Sequence, residues 1–378
     1  MKTLKVGMLG CGNVGSQIAR LLVANKADLA SRAGAQLELV KVAVKDIKAK
    51  RDGIATSLLT DDPYSVVNDP EIDLIIEVIG GISPAKELIL AAFKNGKSVV
   101  TANKALLAKE GAALYQAAGE ANVDLYYEAA VAGAIPILRP LRESLVGDHV
   151  RRIMGIVNGT TNYILTKMDE SGTAFADALK QAQELGFAEA DPTADVEGID
   201  ASDKAAILAG LAFHSRVTDK DVYREGITKI TATDVKVAKA MDMVIKLLAI
   251  TELTASGEIS VRVHPALISR THPLASVRES FNAVFVEAQS AGQMMFYGRG
   301  AGGEPTASAV LGDLVAIARH KISGGIGPKE SDYASLKIAP IGQTKTKYLI
   351  RLNVADKPGV LESVAHVFAA HSVSIQTV

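Results

Sequence analysis

Apolar residues in the first third of the chain fall into short unbroken runs, and between these runs they recur every three or four positions. The runs "LKVGMLG", "LELVKVAV", "DLIIEVIGG", "KSVVTAN" and "VDLYYEAAV" predict strands that are apolar on both faces. The intervening stretches, among them 14–24, "PAKELILAAFKNG" and "KALLAKEGAALYQAAGEA", predict helices with one apolar stripe. Strands without alternation, each followed by a helix, belong in a parallel sheet covered on both sides. The expectation over 1–135 is therefore an α/β domain.

Beyond about residue 145 the pattern changes. "RRIMGIVNGTTNYILTKM" predicts a strand running into a helix, helical segments follow near 173–185 and 203–215, and "GEISVRVHPALI" and "NAVFVEAQ" alternate like strands of a half-exposed sheet. This predicts an α+β domain over 136–304 with a mixed or antiparallel sheet. After the glycine cluster "GRGAGG", the apolar helix "TASAVLGDLVAIARHK", at about 305–322, has the composition of one that returns to pack on the first domain. The stretch 323–345 is rich in Gly, Ser and Pro and predicts a linker. The last segment, 346–378, predicts strand, turn, helix and strand, and it stops inside that final strand.

Composition narrows the function without naming it. With 41 basic and 42 acidic side chains the net charge is −1, and no basic block invites nucleic acid. No apolar run is long enough to span a membrane, and glycines interrupt the N-terminal apolar stretch too early for a signal peptide. One cysteine, Cys11, permits no internal disulfide and fits a reducing compartment, so a cytoplasmic location is expected.

Chemistry first enters at "LGCGNVG", where Gly10, Gly12 and Gly15 have the Gly-x-Gly-x-x-Gly spacing between a predicted strand and a predicted helix. In a Rossmann-type dinucleotide domain the first glycine permits a tight turn. The second lets backbone approach a pyrophosphate, and the third lets the helix pack closely. Asn13 and Val14 complete the loop that would hold the phosphates at the helix N-terminus. NAD and NADP are separated at the end of the second strand, where an acid suits a ribose hydroxyl and a base suits a 2′-phosphate. Here "VAVKDIKAKR" offers both Asp46 and several bases, of which Lys45 is the candidate phosphate contact.

A second signal is the acidic segment "GFAEADPTADVEGIDASDK", which ends on Lys204. Asp200 and Lys204 stand four apart on a predicted helix, acid first, the favourable order for an ion pair. Continuing along that face gives Leu208 and Leu211, so the lysine lies on the stripe expected to be buried. A partly buried lysine beside a carboxylate can donate a proton, and a surface salt bridge is the competing reading. Asp191 precedes a proline and suits a turn, Glu197 and Asp203 are expected to be solvated, and Asp195 is left open.

The segments "GIVNGTTNYILTKM", "ALKQAQELGFAEADPTADVEGIDASDKAAILA" and "VVTANKALLA" resemble homoserine dehydrogenase, and the resemblance extends from the N-terminus to about residue 330. It implies reversible reduction of L-aspartate 4-semialdehyde to L-homoserine with NADH or NADPH, the acidic segment serving a substrate that carries an ammonium group. By the same resemblance Lys204 is the general acid, and Asp200 positions that lysine and the substrate. Glu189 binds the substrate amino group, Lys104 stands where nicotinamide and substrate meet, and Gly303 gives a backbone contact to the cofactor. "YEAAVAGAIP" resembles the family's monovalent cation loop, which implies a Na⁺ or K⁺ site made by Glu128 and the carbonyls of Val131, Gly133 and Ile135. A homodimer or homotetramer is also implied. "VADKPGVLESVAHVFAAHSVSIQTV" resembles the start of an ACT domain and implies an incomplete module that cannot bind threonine as an intact one would.

Two other readings compete with this one. Aspartate-semialdehyde dehydrogenase needs a cysteine nucleophile, and Cys11 is inside the phosphate loop. A catalytically silent NAD(P)-binding amino-acid sensor would be favoured by loss of Lys204 or Glu189, and both are present. With the glycine loop at residue 10, a fused aspartokinase is not expected, and histidines such as His214 and His264 are expected to be structural.

Overall fold

The structure is a computed structural model that describes residues 1–51, 53–329 and 334–375. It divides into two compact units, Met1–Ile341 and Gly342–Val378.

The first unit contains two six-stranded sheets. In chain order the first sheet is made from β1 (Thr3–Leu9), β2 (Gln36–Ala43), β3 (Leu59–Thr60), β4 (Leu74–Glu77), β5 (Ser98–Thr101) and β6 (Leu125–Tyr126). Its spatial order is β3-β2-β1-β4-β5-β6, parallel throughout. Every residue of β4 and β5 is buried, which explains their unbroken apolar runs. The helices here are α1 (Asn13–Ala24), α2 (Lys26–Ala33), α3 (Tyr64–Val67), α4 (Ala85–Lys94) and α5 (Lys104–Ala121). The strand order reverses between β1 and β4, and the crevice at such a switch point is where ligands of open α/β sheets bind.

The second sheet has β7 (Val150–Ile156), β8 (Tyr223–Arg224), β9 (Met243–Leu253), β10 (Ile259–Ser269), β11 (Phe281–Ala288) and β12 (Gly292–Arg299). Its order is β12-β11-β7-β9-β10-β8, antiparallel except where β8 runs parallel to β10. Helices α6 (Gly159–Ser171), α7 (Phe175–Glu184), α8 (Thr193–Val196), α9 (Ile199–Phe213) and α10 (Ala232–Ala240) accompany it. Ile245, Leu247 and Ala249 of β9 join the core shared with α6 and α9, while Leu248 and Ile250 pack with Leu274 and Val277 on the other face. Burial on both faces removes the alternation that marks a strand in sequence, so β9 is not evident from the sequence pattern.

The returning helix, α11 (Gly303–Ser323), packs along α1. Its Ala307, Val310, Leu314 and Ile317 lie in one core with Leu4, Val6 and Met8 of β1. It is apolar because it covers the first sheet.

Two expectations need correction. Part of the stretch expected as linker is attached to the second sheet: the Ile259 N–H donates to Lys337 O (2.8 Å), the Ala339 N–H donates to Ile259 O (2.7 Å), and the first unit ends after Ile341. Positions 330–333 of that stretch lie outside the described residues. In the second unit, α12 (Val360–Ala370) forms, but the strand expected around "KYLIRLN" does not. A lone strand leaves its backbone groups unpaired, and α12 by itself buries no residue. The end of the expected final strand, 376–378, lies outside the described residues. Among the described residues no helix is long and apolar enough to cross a membrane.

Candidate active site

Each glycine of the first loop meets a different constraint. Gly10 has φ +98°, and a Cβ there would lie 2.7 Å from Val78 O. A Cβ on Gly15 would lie 2.5 Å from Gly10 O, so only glycine lets α1 start this close to the strand end. Gly12 faces open space and caps α1 without a side-chain hydrogen bond. The first N–H groups of α1 are therefore available to an anion, with the helix dipole behind them. The N-terminus of α11 meets the same point, since a Cβ on Gly303 would lie 2.6 Å from Asn13 Oδ1.

These ends border a cavity of about 260 Å³ lined by Val14, Gly80, Asn103, Lys104, Lys204 and Gly300 among others. Lys45 is exposed at the end of β2. The nearer base is Arg51, which donates to Asp46 O (2.8 Å), Ala49 O (2.9 Å) and Cys11 O (3.4 Å). Arg51 thus touches the glycine loop itself, because the 46–51 turn folds back over it. Burial pushes the Cys11 thiol up, the opposite of what a nucleophile needs.

On the other side of the cavity stand two lysines and a carboxylate. Asp200 and Lys204 are both on α9 and both 8% exposed in their side chains, and Lys204 Nζ lies 2.7 Å from Asp200 Oδ2. Lys204 Nζ also donates to Val157 O at 2.6 Å, leaving one N–H uncommitted. The ammonium of Lys104, in the first turn of α5, contacts Asp200 Oδ1. That helix start is fixed by Asn103, whose side chain accepts the Leu106 N–H. Asp200 therefore bridges lysines from two helices.

The charges of this trio follow from their surroundings. Burial would raise the Asp200 carboxyl, but the charges of Lys204 and Lys104 outweigh it and hold Asp200 well below the usual range. Burial lowers the Lys204 ammonium, and Asp200 only partly opposes the fall. Lys104 is raised, because Asp200 outweighs its burial. The result is one firmly protonated lysine and one whose proton is easier to move.

The remaining acids of the segment separate clearly. Glu189 is exposed between α7 and α8, and its carboxylate makes no hydrogen bond or ion pair among the described residues. Asp191 forms the expected turn, accepting the Thr193 N–H (3.1 Å) and O–H (2.6 Å). Glu197 is half-buried and accepts from Thr228 Oγ1. Asp203, expected to be solvated, is only 7% exposed, and burial next to Asp200 pushes its carboxyl up to about 6. One residue along the helix from Lys204, its side chain turns toward packed structure rather than solvent. Asp195 accepts from Asn158 Nδ2 at 2.7 Å, and burial raises its carboxyl. Sequence reasoning missed Asn158, although a Ser/Thr/Asn at the start of a helix after a strand is an ordinary cap signal.

The loop resembling a cation site is built around Glu128, whose carboxylate accepts three backbone N–H groups, from Ile137 (2.6 Å), Leu138 (2.8 Å) and Arg139 (2.8 Å). Nearby, Asp313 of α11 accepts the Glu128 N–H (2.7 Å) and Arg139 Nη2 (2.5 Å), and burial pushes it up to about 7. Left-handed backbone at Ala132 and Gly133 shapes the turn. Its internal bonds, Ala134 N–H to Arg299 O and Ile135 N–H to Ala132 O, do not use the carbonyls of Val131, Gly133 or Ile135. Glu128 accepts one of its three N–H groups on Oε2 and two on Oε1, so its carboxylate keeps acceptor capacity, and it and these carbonyls are oxygens of the kind that hard cations take. Among the described residues no cluster of three or more His, Cys, Asp or Glu side chains could hold a metal.

Comparison with known proteins places the chain in a family. The family model described as "Homoserine dehydrogenase, NAD binding domain" matches residues 10–128, and that described as "Homoserine dehydrogenase" matches 136–315. The homoserine dehydrogenase of Corynebacterium glutamicum is 54% identical over 377 residues, covering 99% of this chain and 85% of its own length. The crystal structure of a homoserine dehydrogenase from Thiobacillus denitrificans superposes with a TM-score of 0.88 at 42% identity, over 100% of this chain and 88% of that one. A hyperthermophilic archaeal homoserine dehydrogenase in complex with NADPH matches with a TM-score of 0.71 at 28% identity, over 84% of this chain and 98% of that one. The chain belongs to the homoserine dehydrogenase family.

Proposed function

We propose that this chain interconverts L-aspartate 4-semialdehyde and L-homoserine with NAD(P)H, using Lys204 as the group that gives and takes the proton. The observation that carries this reading is a buried ammonium, held by Asp200 and the Val157 carbonyl, facing the same cavity as the open glycine loop. The pyrophosphate would rest on the first N–H groups of α1, with Gly12, Asn13, Val14 and Gly303 around it. When bound, the dinucleotide supplies or accepts the hydride.

Everything else is the work of the chain's own residues. Lys204 donates from Nζ to the aldehyde oxygen as that oxygen gains charge, and in the reverse direction neutral Nζ accepts the hydroxyl proton. Asp200 holds Lys204 and Lys104 in register, and Lys104 adds a fixed positive charge beside the developing oxyanion. The exposed carboxylate of Glu189 takes the substrate ammonium, a role supported by resemblance and by its lack of a partner among the described residues. The carbonyls of Val131, Gly133 and Ile135 would hold a monovalent cation that stiffens the turn meeting Arg299. Pairing of two copies through the second sheet is supported by exposed Met295 and Tyr297 on its edge strand β12, and sedimentation at several protein concentrations tests it.

The decisive assay is absorbance of the reduced nicotinamide with purified chain, L-homoserine, and NAD⁺ or NADP⁺ in parallel. Turnover with either supports the reading; binding of the dinucleotide without turnover would favour the sensor. The same assay tests the base next to the glycine loop. Arg51→Ala is expected to lower kcat/KM for NADP⁺ by ~10- to 100-fold, the worth of one charged hydrogen bond, with little change for NAD⁺. An equal loss for both cofactors would remove Arg51 from the 2′-phosphate contact. Gly15→Val is expected to weaken binding of both cofactors, because the added side chain drives α1 away from the Gly10 turn. Titration of the intrinsic nicotinamide fluorescence measures this.

A further inference from the structure

Where β7 turns into α6 the chain passes through Val157 and Asn158, and these consecutive residues touch both members of the Asp200–Lys204 pair. Asn158 is 5% exposed and caps α6. Its Oδ1 accepts the Thr161 N–H and the Thr161 O–H, both at 2.9 Å. With the oxygen end fixed in this way, the Nδ2 end must face α8 and α9, where it donates to Asp195 Oδ1 (2.7 Å) and Asp200 Oδ2 (2.9 Å). Both amide hydrogens are thus used on carboxylates. Asp200 Oδ2 is also the oxygen that receives Lys204.

We propose that Asn158 is a positioning residue for the reaction, a neutral double donor that fixes the direction of Asp200 toward Lys204 and ties Asp195 to Asp200. The proposal rests on the reading of Lys204 given above. Its logic is one of charge. Two carboxylates this near one another repel, and a group able to hold both must donate twice without adding a negative charge. Asparagine does so, aspartate cannot, and serine has one hydrogen to give. The platform is rigid, because one turn further along α6 Asn162 accepts from Lys246 Nζ (2.8 Å) and donates to the carbonyls of Val277, Glu279 and Phe281.

Asn158→Ser separates positioning from mere stability, since serine is an equally good helix cap. Losing two hydrogen bonds to carboxylates should lower the melting temperature modestly. The cofactor dissociation constant should stay close to that of the natural chain, while kcat falls ~10- to 100-fold, the range expected when a reacting group is displaced by about an ångström. The rise of homoserine oxidation with pH should also begin at higher pH. Lys204 is faced by Asp200, Lys104 and Asp195, and an Asp200 anion freed of a competing donor opposes the fall of the Lys204 ammonium more strongly. Asn158→Asp should be slower still at neutral pH and recover partly on acidification, when the new carboxyl regains a proton to donate. Unchanged kcat and pH profile in Asn158→Ser, or a loss seen only in melting temperature, would overturn the proposal and leave Asn158 as a cap. The natural chain, run alongside, separates this from failure of the underlying reading: if it does not oxidise homoserine, the assignment of Lys204 is at fault.

Discussion

Lys204→Ala is expected to lower kcat in both directions by ~10²- to 10⁴-fold while leaving cofactor affinity nearly intact, the range for loss of a positioned acid–base group. The sign of the pH dependence is a sharper test than the size of the loss. Burial depresses the Lys204 ammonium, so its proton comes off at lower pH than that of a free lysine. Reduction of the semialdehyde needs the protonated form and should decline as pH rises through that point. Oxidation of homoserine needs the neutral amine and should increase over the same interval. Opposite limbs for the two directions in the natural chain, both absent from the alanine variant, are the expected pair of profiles. Parallel limbs in both directions would assign the proton to another group.

Asp200→Asn should have the second-largest effect. The variant keeps the shape of the side chain but removes the charge that bridges Lys104 and Lys204, leaving the buried Lys204 ammonium without its partner and beside that of Lys104, whose side chain is 41% exposed. Breaking a buried ion pair by removing one partner costs about 3–5 kcal/mol, to be read as a lower denaturation midpoint. Because Asp200 opposes the fall of the Lys204 ammonium, its loss drives that ammonium lower still. The alkaline limb of the reduction profile should therefore move to lower pH. kcat should fall ~10²-fold or more, since Lys204 loses the partner that aims it. A variant of normal stability whose profile is unmoved would show that Asp200 does not govern the lysine.

The pairing and burial of those two residues were legible in the sequence because acid and base stand at i, i+4 on an apolar stripe, whereas their roles come from the resemblance. The first sheet was legible too, since β4 and β5 are buried on both sides and the Gly10–Gly15 loop follows β1 directly. Other features depend on contacts between distant segments. Arg51 reaches Cys11 only because the 46–51 turn doubles back, so strand-end logic selected Lys45 instead. Asp203 looked solvated because acids usually are, whereas α9 is packed on nearly every side. Asn158 bonds to residues 37 and 42 positions away, beyond the reach of any local pattern. The strand expected near "KYLIRLN" had the right composition but lacked the neighbour that a strand requires.

The docking of α11 against α1 has a further consequence for the chain during its synthesis. Arg20 and Glu304 form an ion pair (2.9 Å) although they stand 284 positions apart, and the same helix completes the apolar core beneath β1. At a translation rate of ~5–20 residues per second, the N-terminal sheet waits tens of seconds for the helix that covers it. Through that interval Leu4, Val6 and Met8 lack one of their apolar walls. The glycine loop, made among the first residues, is thus among the last features to become competent, and a nascent chain halted before residue 303 would present to chaperones an apolar surface that the finished molecule conceals.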